Sequence, residues 1–115
     1  MSSAPNQVLY RHPKLGDING VQVADGVNQF RNLTYGIAKQ RWQHSELCER
    51  FDTTVYDATQ WGKISPQPPD SIGFDFGLIQ KDISVDRALE CDEDHCLNLT
   101  VTAPAKGEKL PVMVL

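Results

Sequence analysis

The run Leu110-Pro111-Val112-Met113-Val114-Leu115 is nearly continuously apolar, and it constrains this chain more than any other feature. Runs of this kind belong to strands buried on both faces, as at the centre of an α/β sheet. Just before it, Cys96-Leu97-Asn98-Leu99-Thr100-Val101-Thr102 alternates with period two, which predicts a half-buried strand, and Ala103 to Lys109 reads as the turn between the two. A central strand needs backbone partners on both edges and cover on both faces. The apolar run is the last of the 115 residues, so the expectation is the front portion of a larger α/β protein.

Upstream, Ile18 to Val23 alternates apolar and polar, Ala24-Asp25-Gly26 makes a turn, and Val27 to Phe30 follows, which predicts a hairpin. Thr53-Thr54-Val55-Tyr56, β-branched and aromatic, reads as a third short strand of a small antiparallel sheet. Ser45 to Arg50 is expected to form one helical turn with Ser45 as its cap. Residues 1–14 are polar, with Pro5 and Pro13, and read as a flexible arm that adds at most a short edge segment at Val8 to Tyr10. Residues 15–115 then form the folded unit. Within it, residues 57–90 read as a long loop, broken by Ser65-Pro66-Gln67-Pro68-Pro69-Asp70 and anchored by Phe74, Phe76, Leu78 and Ile79.

Charge and cysteine content exclude several roles. Eleven Lys and Arg against fifteen Asp and Glu give a net charge of −4, and nucleic-acid binding needs clustered cations. No apolar run approaches the ~20 residues of a membrane helix. The N-terminal residues carry no apolar core of a secretory signal. Three cysteines are too few for a disulfide scaffold. Cys48, Cys91 and Cys96 are therefore read as reduced thiols, and the protein as cytoplasmic.

These segments together carry a family likeness. Asp94-His95-Cys96-Leu97-Asn98-Leu99-Thr100-Val101, a basic turn and Lys109-Leu110-Pro111-Val112-Met113-Val114 resemble the E-D-C-L-x-L-N-V and K-L-P-V-M-V pattern of type-B carboxylesterases. Gly26 to Gly36 is similar to the family's V-x-x-F-x-G-I-P-Y-A, with Asn32 where the family has Gly. Gln40-Arg41-Trp42 resembles its R-F, and Tyr56 to Gly62 with Ser65-Pro66-Gln67 its A-x-x-Y-G-P-x-C-P-Q. The likeness runs collinearly over residues 14–115 and is nearest to fungal-type, disulfide-poor members. It implies the N-terminal portion of an α/β-hydrolase: a small antiparallel sheet, then the first strands of the central sheet, with little helix.

In that family a Ser-His-Glu/Asp triad hydrolyses carboxylic esters, with the serine in a G-x-S-x-G elbow and an oxyanion loop H-G-G-G. Serines 2, 3, 45, 65, 71 and 84 lack that setting. The resemblance thus implies an ester hydrolase whose catalytic groups lie outside this chain: no catalytic residue, cofactor or metal ligand is assigned here. It also implies an ion pair between Arg41 and Asp94 joining the two sheets. Cys96 matches the family's motif cysteine, but Ser65 stands where its disulfide partner would be. Cys91 and Cys96, five residues apart, are read as a reduced pair.

Other candidates have bland alternatives. Cys91-Asp92-Glu93-Asp94-His95-Cys96 holds metal-ligand types without a second ligand pair, so a polar loop is the better reading. His12, His44 and His95 stand beside no nucleophile. Asn32 and Asn98 head N-x-T sequons that go unused without a secretory route. Tyr35, Trp42, Tyr56 and Trp61 read as aromatics that pin loops rather than as a ligand platform. Two roles stay open: part of a carboxylesterase, or a non-catalytic module that offers a sheet edge. In either, the strands at 96–115 are the expected surface for self-association or a partner chain.

Overall fold

The computed structural model describes residues 6–68 and 90–115. Among these residues seven strands form in chain order: β1 Gln7–His12, β2 Gly16–Ala24, β3 Val27–Thr34, β4 Gly36–Ile37, β5 Glu46–Leu47, β6 Val55–Asp57 and β7 Asn98–Pro104. There is no helix among the described residues. The main sheet runs β1-β2-β3-β7, with β6 also on β2, and β4 and β5 make a separate two-stranded ribbon.

β1, β2 and β3 are antiparallel neighbours, and the Asp25-Gly26 turn closes the β2–β3 hairpin as its sequence predicts. Gly26 takes φ 67°, a left-handed conformation that glycine adopts without steric cost. The edge segment expected at Val8 to Tyr10 is a six-residue strand, because β2 offers Gln7 to His12 an unbroken register. That part of the chain is therefore not a loose arm.

Three further expectations change. β6 lies parallel to β2, with Ile18 opposite Tyr56, so the small sheet is mixed rather than antiparallel. The helical turn at Ser45 to Arg50 is replaced by β5, where Gly36 faces Leu47 and the Cys48 N–H donates to the Tyr35 carbonyl. A lone helical turn closes few hydrogen bonds for the backbone order it costs, whereas β4 supplies partners at once. The strand expected at 96–102 forms two residues later and pairs with β3, Phe30 opposite Val101.

Leu110 to Leu115 forms no strand. A strand exists only where a neighbour accepts its ladder, and no described strand lies beside this run. Its side chains stand in solvent, Val112 at 86% and Val114 at 88% exposure. Residues 74–79, expected to anchor the long loop, lie outside the described residues.

The core is small. Ile18, Phe51 and Ala58 are buried together, with Leu15, Phe30, Leu33, Cys48 and Tyr56 packed around them. Phe51 and Tyr56 stack at 3.8 Å between ring centres. Ala58 sits where β6 ends, its N–H donating to Asn19 and its carbonyl accepting from Arg31. This packing fixes residues 56–62 under β3 and so positions the loops described next.

Candidate functional site

The loop 91–96 meets the end of β3, β4 and residue Lys63 across a cleft of about 380 Å³. Asn32, Thr34, Lys63, Asp92, Asp94 and His95 supply its polar walls. The loop takes its shape from Asp92. One carboxylate oxygen accepts the N–H groups of Asp94 and His95, at 2.9 and 3.1 Å, and the other lies 3.0 Å from His95 Nδ1. Aspartate bonding its own backbone two residues on is a turn-forming device. The Asp94 N–H, then the His95 ring, hold the Asp92 carboxyl below the usual carboxylate range.

Arg41 crosses to this loop, and its partner is Glu93, not Asp94. Arg41 Nε lies 3.1 and 3.2 Å from the two Glu93 oxygens, and Nη2 lies 2.5 Å from Oε1. The longer glutamate reaches the planar fork with both oxygens, the geometry that guanidinium favours. Asp94 acts on Arg41 only through its charge, and Glu93, first by hydrogen bonding and then by charge, raises the Arg41 pKa further. The pair is solvated, at 68% and 48% side-chain exposure, so in place of the expected Arg41–Asp94 bridge between sheets stands an Arg41–Glu93 tie between loops at the surface.

A second tie joins the segment around Ser65 to the loop 91–96. Ile64 pairs with Cys91 in an isolated parallel bridge. Ile64 N–H donates to the Glu90 carbonyl at 2.9 Å, Asp92 N–H to the Ile64 carbonyl at 3.0 Å, and Lys63 pairs with Glu90. Cys48, Cys91 and Cys96 are free thiols. Among the described residues no group of three or more His, Cys, Asp or Glu side chains could hold a metal ion.

The remaining sequence candidates are structural where the structure places them. His12 Nδ1 accepts the N–H groups of Lys14 and Leu15 and shapes the β1–β2 turn. Asn98 Nδ2, the nitrogen a glycan would need, donates to the carbonyls of Lys63 and His95 at 2.8 and 3.3 Å. Asn32 stands at the irregularity between Phe30 and Leu33 with φ 53°. That conformation explains asparagine where the family pattern has glycine, since Asn tolerates the left-handed region better than most residues. A side chain at Gly62 would strike both the Asn32 and Asn98 amides, so these three residues form one close-packed knot. Spacing in the sequence carries no sign of it.

The aromatics divide. The Tyr56 hydroxyl donates to the Asn32 carbonyl, and Trp61 lies beneath the Arg31 guanidinium at 4.3 Å, so both pin loops as expected. Trp42 does not: it is 98% exposed. Chemically, the cleft gathers ion pairs and turn-forming amides that tie segments together, and the hydrogen bonds of its histidine go to Asp92, not to a hydroxyl.

Comparison with known proteins bears on this arrangement. The structure resembles a PNB esterase with a TM-score of 0.60 at 25% identity, over 85% of this chain and 18% of that one. It resembles a thermophilic PNB esterase with a TM-score of 0.57 at 25% identity, over 78% of this chain and 17% of the other. The fold is thus a strand-built part of an α/β-hydrolase. The chain belongs to the carboxylesterase family, whose model matches residues 7–115. Lipase 1 of Yarrowia lipolytica is 33% identical over 99 residues, 86% of this chain and 19% of that protein, which agrees with the fungal-type likeness. The chain therefore spans about a fifth of the length of these relatives.

Proposed function

We propose that this chain is the N-terminal framework of a carboxylic-ester hydrolase, whose Ser-His-Glu/Asp triad and oxyanion loop lie in the remainder of the domain. The observation that carries the reading is the family match across residues 7–115 within relatives about five times as long. In this reading the chain contributes no catalytic group. Acyl transfer needs an activated nucleophile and preorganised oxyanion donors, and the described serines, Ser45 and Ser65, lie in loops outside any strand-to-helix elbow. A cytoplasmic setting belongs to the same reading, with the three cysteines as free thiols.

A second reading is a non-catalytic module that offers a sheet edge to a partner polypeptide. The outer edge of β7, unpaired among the described strands, and the exposed run 110–115 favour it. Both readings expect the purified chain to leave a p-nitrophenyl ester at its buffer hydrolysis rate. A faster rate that disappears on replacing one of the chain's own serines overturns the assignment of catalysis to the remainder.

A further inference from the structure

We propose that two copies of this chain pair through the outer edge of β7, antiparallel, about a two-fold axis at Val101. The inference rests on the reading of the chain as a module that offers a sheet edge, and it names the partner.

The free groups of the edge follow from the bonds on its other side. The Ala105 N–H donates to the Gly26 carbonyl at 2.8 Å, and the Leu97 carbonyl accepts from the Tyr35 N–H at 3.1 Å. Both residues thus turn their backbone groups toward β3. Alternate residues of an antiparallel strand bond to opposite sides, and the irregularity of this ladder lies in β3, where Phe30 to Leu33 faces Val101 to Leu99. Asn98, Thr100, Thr102 and Pro104 therefore turn their backbone groups away from β3, to an edge that no described strand pairs. Two of them lack a free donor. Pro104 has no N–H, and the Asn98 N–H donates to the Cys96 carbonyl at 2.9 Å. With Val101 on the axis, Thr100 of each copy faces Thr102 of the other, and the two exchange both backbone hydrogen bonds. Asn98 then faces Pro104, so the residues without a donor meet each other. In this register the edge is its own complement. It also sets Val101 against Val101 and Leu99 against Ala103, which covers side chains that are now 41% exposed at Val101 and 42% at Leu99.

Charge admits a second copy and selects its direction. No residue from Asn98 to Pro104 is charged, whereas edge strands that avoid pairing carry charges. Ahead of β7 stand four acids, Glu90, Asp92, Glu93 and Asp94, with Lys63 on Glu90 and Arg41 on Glu93. After it come Lys106 and Lys109 with the single acid Glu108, and neither lysine is in an ion pair among the described residues. Antiparallel pairing lays the basic turn of one copy beside the acidic loop of the other, while parallel pairing sets like charge beside like. A two-fold arrangement also closes, which gives a dimer rather than a fibre.

The test uses the whole chain and the variants Val101→Lys and Val101→Glu, whose partial exposure predicts an unchanged fold, checked by circular dichroism. Sedimentation over a concentration series is expected to show a dimer of the unaltered chain, with Thr100 and Thr102 amide exchange slowing as it forms. Each variant alone places like charges opposite each other on the axis and is expected to weaken the dimer about fivefold or more. Mixing the two variants is expected to restore it, a rescue that only an axis at this position supplies. A dimer that neither variant weakens, or that the mixture fails to restore, overturns the β7 pairing and leaves the edge-offering reading standing. So does a chain that stays monomeric with fast exchange at Thr100 and Thr102, since its edge is free but not self-pairing. A monomer in which those amides exchange slowly has its edge already covered, and overturns both.

Discussion

Asp57 shows how much work one side chain does in a short strand. Its Oδ1 accepts the Thr59 hydroxyl at 2.6 Å and the Thr59 N–H at 3.0 Å, just past the end of β6. Those bonds, the hydroxyl's first, hold its carboxyl below the ordinary value. A carboxyl with a lowered folded pKa contributes stability that is present above the unfolded pKa of about 3.9 and is lost as pH falls through the lower folded value. Urea midpoints measured down an acid series are therefore expected to fall more steeply for the native chain than for Asp57→Asn, with the difference confined to the region below the usual carboxylate range. Parallel curves would show that the Thr59 contacts carry no such linkage. Arg41 teaches the opposite lesson. Its Nε and Nη2 both meet Glu93, but exposure screens the charges, so the pair orients a loop more than it stabilises the fold.

At the level of elements, the β2–β3 hairpin depends on the absence of a side chain. A methyl at Gly20 would approach the Phe30 ring to 2.5 Å and the Gln29 carbonyl to 2.7 Å. Gly20 thus lets Phe30 lie across β2 and reach the Ile18, Phe51 and Ala58 cluster. Gly20→Ala is expected to cost about 1–3 kcal/mol, the range for forcing extra volume into a packed site. The loss is expected in denaturant midpoints together with faster amide exchange in β2 and β3. An unchanged midpoint would mean that Phe30 repacks freely. The β4–β5 ribbon and the Ile64–Cys91 bridge show the same economy, since two or three backbone hydrogen bonds decide where a loop turns.

On the scale of the whole molecule, a small core stands beside a large apolar surface. Ile18, Val21, Phe51 and Ala58 are the buried hydrophobics among the described residues, whereas Val112, Met113, Val114 and Leu115 are all more than four-fifths exposed. Burying one aliphatic side chain is worth roughly 1.5–3 kcal/mol, so this run stores free energy available to whatever covers it. Replacing Val112 and Val114 together by lysine is expected to leave the unfolding midpoint of the dilute chain unchanged and to lower its mass at high concentration. Sedimentation and hydrogen exchange at residues 110–115 are the measurements. A drop in the dilute midpoint would show that the run already packs within the monomer, and the reading of 96–115 as an association surface would fall.

Local chemistry by itself determined the hairpin at Asp25-Gly26, the strand-forming character of residues 98–102 and the family membership. Turn residues, β-branching and motif order act over a few neighbours and need no partner to be read. Only the tertiary structure decided that β7 joins β3, that β6 runs parallel to β2, that Ser45 to Arg50 is not helical and that Arg41 takes Glu93. Each of these turns on which backbone or carboxylate stands opposite, a quantity set by distant parts of the chain. The apolar run at 110–115 is the sharpest case. Its composition marks a strand, but a strand is a relation between two segments, and in the described residues it has no second segment to pair with.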